Sequence, residues 1–317
     1  MAGVYFLGKW RYNKAKGGVP VEKCVAGFIK LVTSMVIFGS IGLFIRYIPL
    51  PSSVIAFVRA LVGVFFLLLI LAWRRTKLSF RAIKKNFLYL LLSGTAIGFN
   101  WILLFESYRY TSVAVSTLCY YMAPIIVTLL SPLVLKEKLT AKRIFCVFTA
   151  VIGIAMISGI LKTGQLRPGE WKGILFGFGA AVLYATAILL NKKSQKIDAM
   201  DRTVCQLLTA ALVLLPYNML TCEIDSIRLT LPILILLGIV GIVHTGLAYY
   251  LYFGSMEHLS GQSIAIASYL DPVIAMLVST IILKETFTGL TVIGAVAILG
   301  AAVVGELPGK GRYINDN

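Results

Sequence analysis

The chain has 317 residues, of which 59% are hydrophobic and only 14% charged. That is about half the charged fraction of a soluble domain, which excludes an ordinary water-soluble fold. The formal net charge is +17, but the cations lie between apolar runs and form no basic face interleaved with aromatics, which excludes nucleic acid as a partner.

Residues 1–24 (MAGVYFLGKWRYNKAKGGVPVEKC) hold basic residues and no continuous apolar core before a cleavage site. They read as a basic cytoplasmic arm, not a signal peptide. Apolar runs then recur, each long enough to cross about 30 Å of hydrocarbon as a helix. Ten spans are expected, near 25–45, 53–73, 87–105, 111–134, 143–161, 173–191, 203–222, 231–252, 261–283 and 289–307. The expected fold is an all-α integral membrane protein in a lipid bilayer. Its ten transmembrane helices form two inverted five-helix repeats, with N- and C-termini cytoplasmic.

The basic residues set this orientation. With the N-terminus inside, 21 Lys and Arg fall on inside segments and 7 on outside ones, while Lys30 and Arg59 lie within spans. The bias follows the positive-inside rule. The repeat is visible in the letters. Residues 107–140 (SYRYTSVAVSTLCYYMAPIIVTLLSPLVLKEKLT) match 255–288 (SMEHLSGQSIAIASYLDPVIAMLVSTIILKETFT) at a constant offset of 148, with 11 of 34 positions identical. Five spans per unit is an odd number, so the second unit crosses the opposite way. Lys136-Glu137 then faces inside and Lys284-Glu285 outside. The expected units are 25–161 and 173–307, joined by an extracytoplasmic connection at 162–172, with a cytoplasmic tail at 308–317.

Several side chains are out of place in hydrocarbon. Arg59 lies in the second span, where a charge costs about 2.5–3.5 kcal/mol on insertion scales. It either lines the outer end of a pathway or snorkels to the headgroups. Lys30, near the inner mouth of the first span, is explained by snorkelling. Asn100 and Trp101 lie mid-span in the third helix, an amide and an indole of the kind that orient a ligand in an apolar pocket. Glu106 and Arg109 have the spacing of a surface pair. Tyr120 and Tyr121 precede Pro124, and Tyr269 precedes Pro272 at the equivalent position. Each proline should break its helix locally. The rings could flank a solute, act as gates, or pack across helices with bonded hydroxyls. Tyr184 on the sixth span is a further cavity candidate. His244 lies mid-span and could relay protons or stay neutral against a carbonyl.

Asp271 immediately precedes Pro272, and its repeat counterpart is Ala123. This carboxylate breaks the internal symmetry. It could bind a substrate amine or a proton, or pair with a neighbouring helix. The two Lys-Glu pairs read as hairpin markers, with the Lys complementing a helix C-terminus and the Glu orienting a tight turn. The Gly94/Gly98 and Gly173/Gly177 pairs, with Gly238, Gly241 and Gly246, allow close helix approach.

The five cysteines are odd in number and none has metal-ligand spacing. They read as small buried hydrophobes. No metal ion or cofactor is implied.

Phe38-Gly39-Ser40, Ala56-Phe57-Val58-Arg59, Asn100-Trp101 through Phe105, Pro124 with Lys136-Glu137, and Pro272 with Lys284-Glu285 together resemble the drug/metabolite transporter superfamily. Within it they are similar to the EamA family of ten-span carriers, over about residues 28–307. Phe38 stands where that family often has Trp, and Glu106-Ser107 where Ala-Leu is common. The resemblance implies transport of small metabolites, often amino-acid efflux, and a buried structural or gating role for Arg59.

The resulting expectation is a secondary active transporter. A small-molecule solute would bind near mid-membrane and be exposed alternately to each side, with protons as a candidate coupling partner. The alternatives are a uniporter or importer, a channel or sensor, and an intramembrane lipid-processing enzyme. The last would need a converging catalytic set. The chain has only His244 and His258, and neither HExxH nor Gly-x-Ser-x-Gly.

Overall fold

The computed structural model describes residues 21–135, 141–157, 169–223, 228–256, 259, 264, 267–285 and 288–306. The arm at 1–20, Lys136-Glu137, most of the 162–172 connection, His258 and the tail at 308–317 lie outside the described residues.

Among the described residues every regular element is helical, as a hydrocarbon surrounding demands of the backbone. The elements are α1 (Val21–Arg46), α2 (Ser52–Trp73), the short α3 (Phe80–Lys85), α4 (Phe87–Tyr110), α5 (Val113–Tyr120) and α6 (Ala123–Leu135). Then follow α7 (Ala141–Ile157), α8 (Glu170–Lys193) and α9 (Ala199–Thr221). The last three are α10 (Leu231–Met256), α11 (Leu270–Ile281) and α12 (Gly289–Glu306). Starts carry local signals. Pro51 precedes α2, and Ser112 Oγ accepts the Val115 N–H at 3.0 Å to cap α5. Asp198 does the same for the Met200 N–H at 2.8 Å in α9.

Seven helical stretches among the described residues are long and apolar enough to cross a membrane, with α5 and α6 counted together. Shorter apolar stretches lie in α7, α11 and α12. Leu133, Phe145, Leu212, Leu220 and Val296 point outward and are exposed. Such a surface suits lipid and not water.

The single span expected at 111–134 is divided. Helix α5 stops at Tyr120, Tyr121 and Met122 form a turn, and α6 starts at Ala123. A matching turn at Tyr269 precedes α11. In each case the proline lies three residues beyond the turn tyrosine. It has no N–H for the carbonyl four residues back and crowds the turn before it.

Helix pairing follows the sequence duplication. Helix α1 packs on α10 and α11, while α8, its counterpart by position, packs on α4 and on α5–α6. Helix α2 packs on α10 as α4 packs on α9, and α2 meets α9 while α7 meets α12. Most contacts therefore cross between the matched segments, and one continuous bundle results. The directions also reverse. Glu285, just after α11, lies 3.4 Å from the Val113 N–H that starts α5. The end of α11 therefore meets the beginning of its counterpart. Arg46, at the end of α1, reaches the same Glu285 at 2.6 Å, and Gly173 near the start of α8 lies against Thr111 at that end too.

Glu285 does more than mark its own hairpin, where its N–H donates to the Ser279 carbonyl at 3.1 Å. Its carboxylate accepts from Arg46, the Val113 N–H and Ser279, tying α1 and α5 to the end of α11. Lys284 takes φ 54°. Arg109 lies 3.8 Å from Glu106, as its spacing suggested, and also donates to the Leu50 carbonyl. At the far end Gln206 donates to Ser93 and Asn191, at 2.7 and 2.8 Å, and joins α9 to α4 and α8.

Candidate functional site

The two proline breaks meet in the bundle interior. The Tyr121 hydroxyl donates to Asp271 Oδ2 at 2.7 Å. The same hydroxyl lies 3.3 Å from the Ser268 carbonyl, which Pro272 leaves without its helical donor. The break in α5–α6 thus supplies a side chain to the acid and the open backbone of the other break. Tyr121 and its counterpart Tyr269 stand with ring centroids 6.0 Å apart. Helix α1 closes one side at Gly39, where an added Cβ would come 2.5 Å from the Asp271 carbonyl oxygen. Only glycine lets the two backbones approach so closely at the acid.

Aromatic rings surround this centre. Tyr120 stacks on Tyr184 of α8 at 5.2 Å and 26°, and meets Tyr121 edge-on at 6.0 Å. Phe38 of α1 meets Tyr249 and Tyr252 of α10 edge-on at 5.3 and 6.4 Å. Tyr249 in turn stacks on Phe253 at 5.8 Å. Asp271 lies in electrostatic range of Tyr108, Tyr120, Tyr121 and Tyr184. These side chains pack on one another across helices, yet Phe38, Tyr120, Tyr121, Tyr249, Tyr252 and Asp271 are only half-buried and Tyr184 is 38% exposed. Together they form an aromatic cluster around one carboxylate.

A second polar group lies beside it. Arg59 is 4% exposed, so it does not snorkel. Its guanidinium lies over Trp101 at 4.0 Å and near Phe105 at 5.6 Å, a cation–π arrangement. Its Nε donates to Thr245 Oγ1 at 3.0 Å. Thr245 and His244 belong to a π-helical stretch of α10, Ile239–Leu247. Thr245 donates to the carbonyl five residues back, Val240, at 3.0 Å. His244 Nε2 stands 3.1 Å from Ser40 Oγ of α1, and its ring is 4.6 Å from that of Phe44. Isolated π turns often accompany functional sites.

The structure therefore brings Tyr120, Tyr121, Tyr184, Tyr269 and Asp271 together. Pro124 and Pro272 set the backbone beneath them. Arg59, Trp101 and His244 form the adjoining cluster. Asn100 is directed elsewhere, its amide donating to the Ala180 carbonyl of α8 at 2.5 Å while its Oδ1 has no partner among the described residues. Sequence reasoning did not single out Tyr108, Thr245, Tyr249 and Tyr252. Nothing in GIVGIVHTGLAYY marks a π stretch, and aromatics are common in apolar spans.

Two apolar grooves lie apart from these residues. One of about 780 Å³ lies along α11 and α12, lined by Val273, Leu277, Val292 and Val296 among others. Another of about 450 Å³ lies between α4, α8 and α9. Neither lining includes a member of the polar clusters.

Comparison with known proteins agrees with the duplication. A model of the EamA-like transporter family matches residues 25–159 and again 171–305. The uncharacterized transporter YxxF of Bacillus subtilis (strain 168) is 34% identical over 265 residues, covering 82% of this chain and 81% of its own. Protein PecM of Dickeya dadantii (strain 3937) is 28% identical, covering 67% and 71%. A crystal structure sharing 17% identity superposes with a TM-score of 0.62 over 90% of this chain and 97% of the other, which is a likeness of fold.

Proposed function

The chain belongs to the EamA-like transporter family, and from that premise we propose that it is a secondary active transporter working by alternating access. It is a multi-pass membrane protein whose relatives are transporters and not enzymes. The reading adds ten spans arranged as two inverted five-helix units, 25–161 and 173–307, with both termini cytoplasmic. The symmetric helix pairing, the opposed directions of α5 and α11 and the charge bias support that architecture.

One observation carries the functional reading. A carboxylate, Asp271, sits at a helix break in the interior and is held by Tyr121 from the equivalent break of the other unit. Relative motion of the units would change this contact directly. The half-buried rings of Tyr120, Tyr121, Tyr184 and Tyr249 provide an apolar, hydroxyl-bearing wall for a small solute. We assign Asp271 to a solute amine or to a proton, and the direction to export of amino acids or related metabolites. Pro124 and Pro272 take structural roles, Arg59 lines and gates the outer end of the path, and Trp101, Tyr269 and His244 line the rest. Asn100 supports the wall through its tie to α8.

Proteoliposomes containing the full chain test this. Saturable counterflow of a labelled amino acid is expected, altered by an imposed pH gradient if protons are exchanged. Asp271→Asn should abolish exchange or its response to the gradient. Unchanged exchange and unchanged pH response in that variant would remove Asp271 from the mechanism.

A further inference from the structure

Arg59 is more completely enclosed than Asp271, yet it lacks an anionic partner among the described residues. Its hydrogen bond is made by Nε, to Thr245 Oγ1. Its flat face is covered by Trp101. Nη1 and Nη2 make no hydrogen bond or ion pair to any described residue. Neither Nη atom is among the fully enclosed, unpartnered side-chain polar atoms of the described residues, which are Ser52 Oγ and Asn100 Oδ1.

Such an arrangement is costly without a ligand. Removing a cation from water is costly, and one charge-assisted hydrogen bond with a cation–π contact offsets only part of that cost. The geometry is also specific. Thr245 and Trp101 fix the guanidinium at its Nε edge and its face, leaving the terminal Nη fork presented. That fork matches the two oxygens of a carboxylate.

The fork shares its surroundings with Asp271. Tyr108 and Tyr120 lie in electrostatic range of both charges. Asp271 receives its described side-chain hydrogen bond at Oδ2, from Tyr121. The two opposite charges make no ion pair with each other.

We propose that the Nη fork of Arg59 is the carboxylate subsite of the transported solute, so that the chain selects small carboxylate-bearing molecules and, with Asp271, zwitterionic ones. This rests on the transporter reading and deepens it. Loss of the solute carboxylate leaves the guanidinium buried and unpaired, so discrimination against the uncharged analogue is large. Loss of the solute amine falls on Asp271 instead.

Purified full-length protein would be screened by thermal shift against matched solutes, each an amino acid, its C-terminal amide and the corresponding amine lacking the carboxylate. Any binder must raise the unfolding temperature by mass action. The acid is expected to bind about tenfold or more tightly than its amide, the factor set by one charge-assisted hydrogen bond. Arg59→Gln should erase that preference by weakening the acid alone, whereas Asp271→Asn should weaken acid and amide alike. An amide that binds as well as its acid overturns the assignment, as does a preference that survives Arg59→Gln. The wild-type acid–amide comparison decides the matter if the variant does not fold. The same solutes would be followed by counterflow in proteoliposomes. Amides and amines exchanging as fast as acids overturn the Arg59 subsite and leave transport standing. No saturable exchange by any member overturns both.

Discussion

Tyr121 and Asp271 are 150 residues apart in sequence, and the hydroxyl of one donates to the carboxylate of the other at 2.7 Å. Each lies at a proline-induced interruption, and the two interruptions occupy equivalent positions in the duplicated sequence. The bond thus joins the least regular backbone of one copy to that of the other. Tyr121→Phe keeps the ring and removes the donor. A hydrogen bond to a charged group contributes about 1.5–3 kcal/mol, so counterflow should fall about tenfold or more, with helix content unchanged by circular dichroism. Wild-type exchange by this variant would show that the bond has no part in the cycle.

Thr245→Val retains the shape and loses the acceptor for Arg59 Nε. A buried donor left without a partner costs about 1–3 kcal/mol. The variant should unfold at lower temperature in detergent, and Thr245→Ser should recover most of the difference. Equal unfolding temperatures for Thr245→Val and wild type would contradict the anchoring role.

Gly39→Ala places a methyl group 2.5 Å from the Asp271 carbonyl oxygen and 2.8 Å from Ile274 Cβ. Helices α1 and α11 must then separate, at a cost of about 1–3 kcal/mol. Exchange should be lost or severely reduced. Gly300→Ala meets nothing within 4 Å and should be neutral or slightly stabilising. The same outcome for both variants would show that the α1–α11 approach is not critical.

Glu285 lies outside the helices, with 14% of its side chain exposed. Burial raises its carboxyl above the ordinary value, and the Arg46 guanidinium with the Val113 and Ala114 N–H groups opposes that rise. A carboxyl raised on folding contributes stability that is complete below its unfolded pKa of about 4.3 and is lost as pH rises through the folded value. The unfolding temperature of wild type relative to Glu285→Gln should therefore fall as pH rises from about 4 toward neutrality. A dominant Arg46 ion pair would give the opposite slope, and observing it would refute this assignment.

Most of the architecture was legible because hydrocarbon imposes one rule on every span. Apolar length located the helices, and the 148-residue offset exposed the duplication. The prolines gave the interruptions, since a missing N–H acts locally whatever surrounds it. Asp271 and Arg59 stood out because charge is rare in such a chain. Their partners did not. Thr245 and Ser40 are ordinary small polar residues until another helix approaches them. Glu285 looked local because its hairpin was visible and Arg46, 239 residues away, was not. Asn100 looked inward-facing, yet the face its helix presents to α8 is a matter of packing. Side-chain direction within a uniformly apolar helix leaves no periodic trace to read.

The π-helical stretch of α10 has a consequence for how this site tolerates change. Its bonds reach five residues back instead of four, so it holds more residues per turn than the helix on either side. Tyr249, Tyr252 and Phe253 follow it, and their angular position depends on that surplus. Deleting one residue between Ile239 and Leu247 would turn all three rings by about 100°, the angle of one α-helical step, and carry them out of the wall with every ring intact. Substitutions there can be absorbed locally, whereas a change in length is transmitted to the whole downstream face. The count of residues in that stretch, independent of their identity, is part of what aims the site.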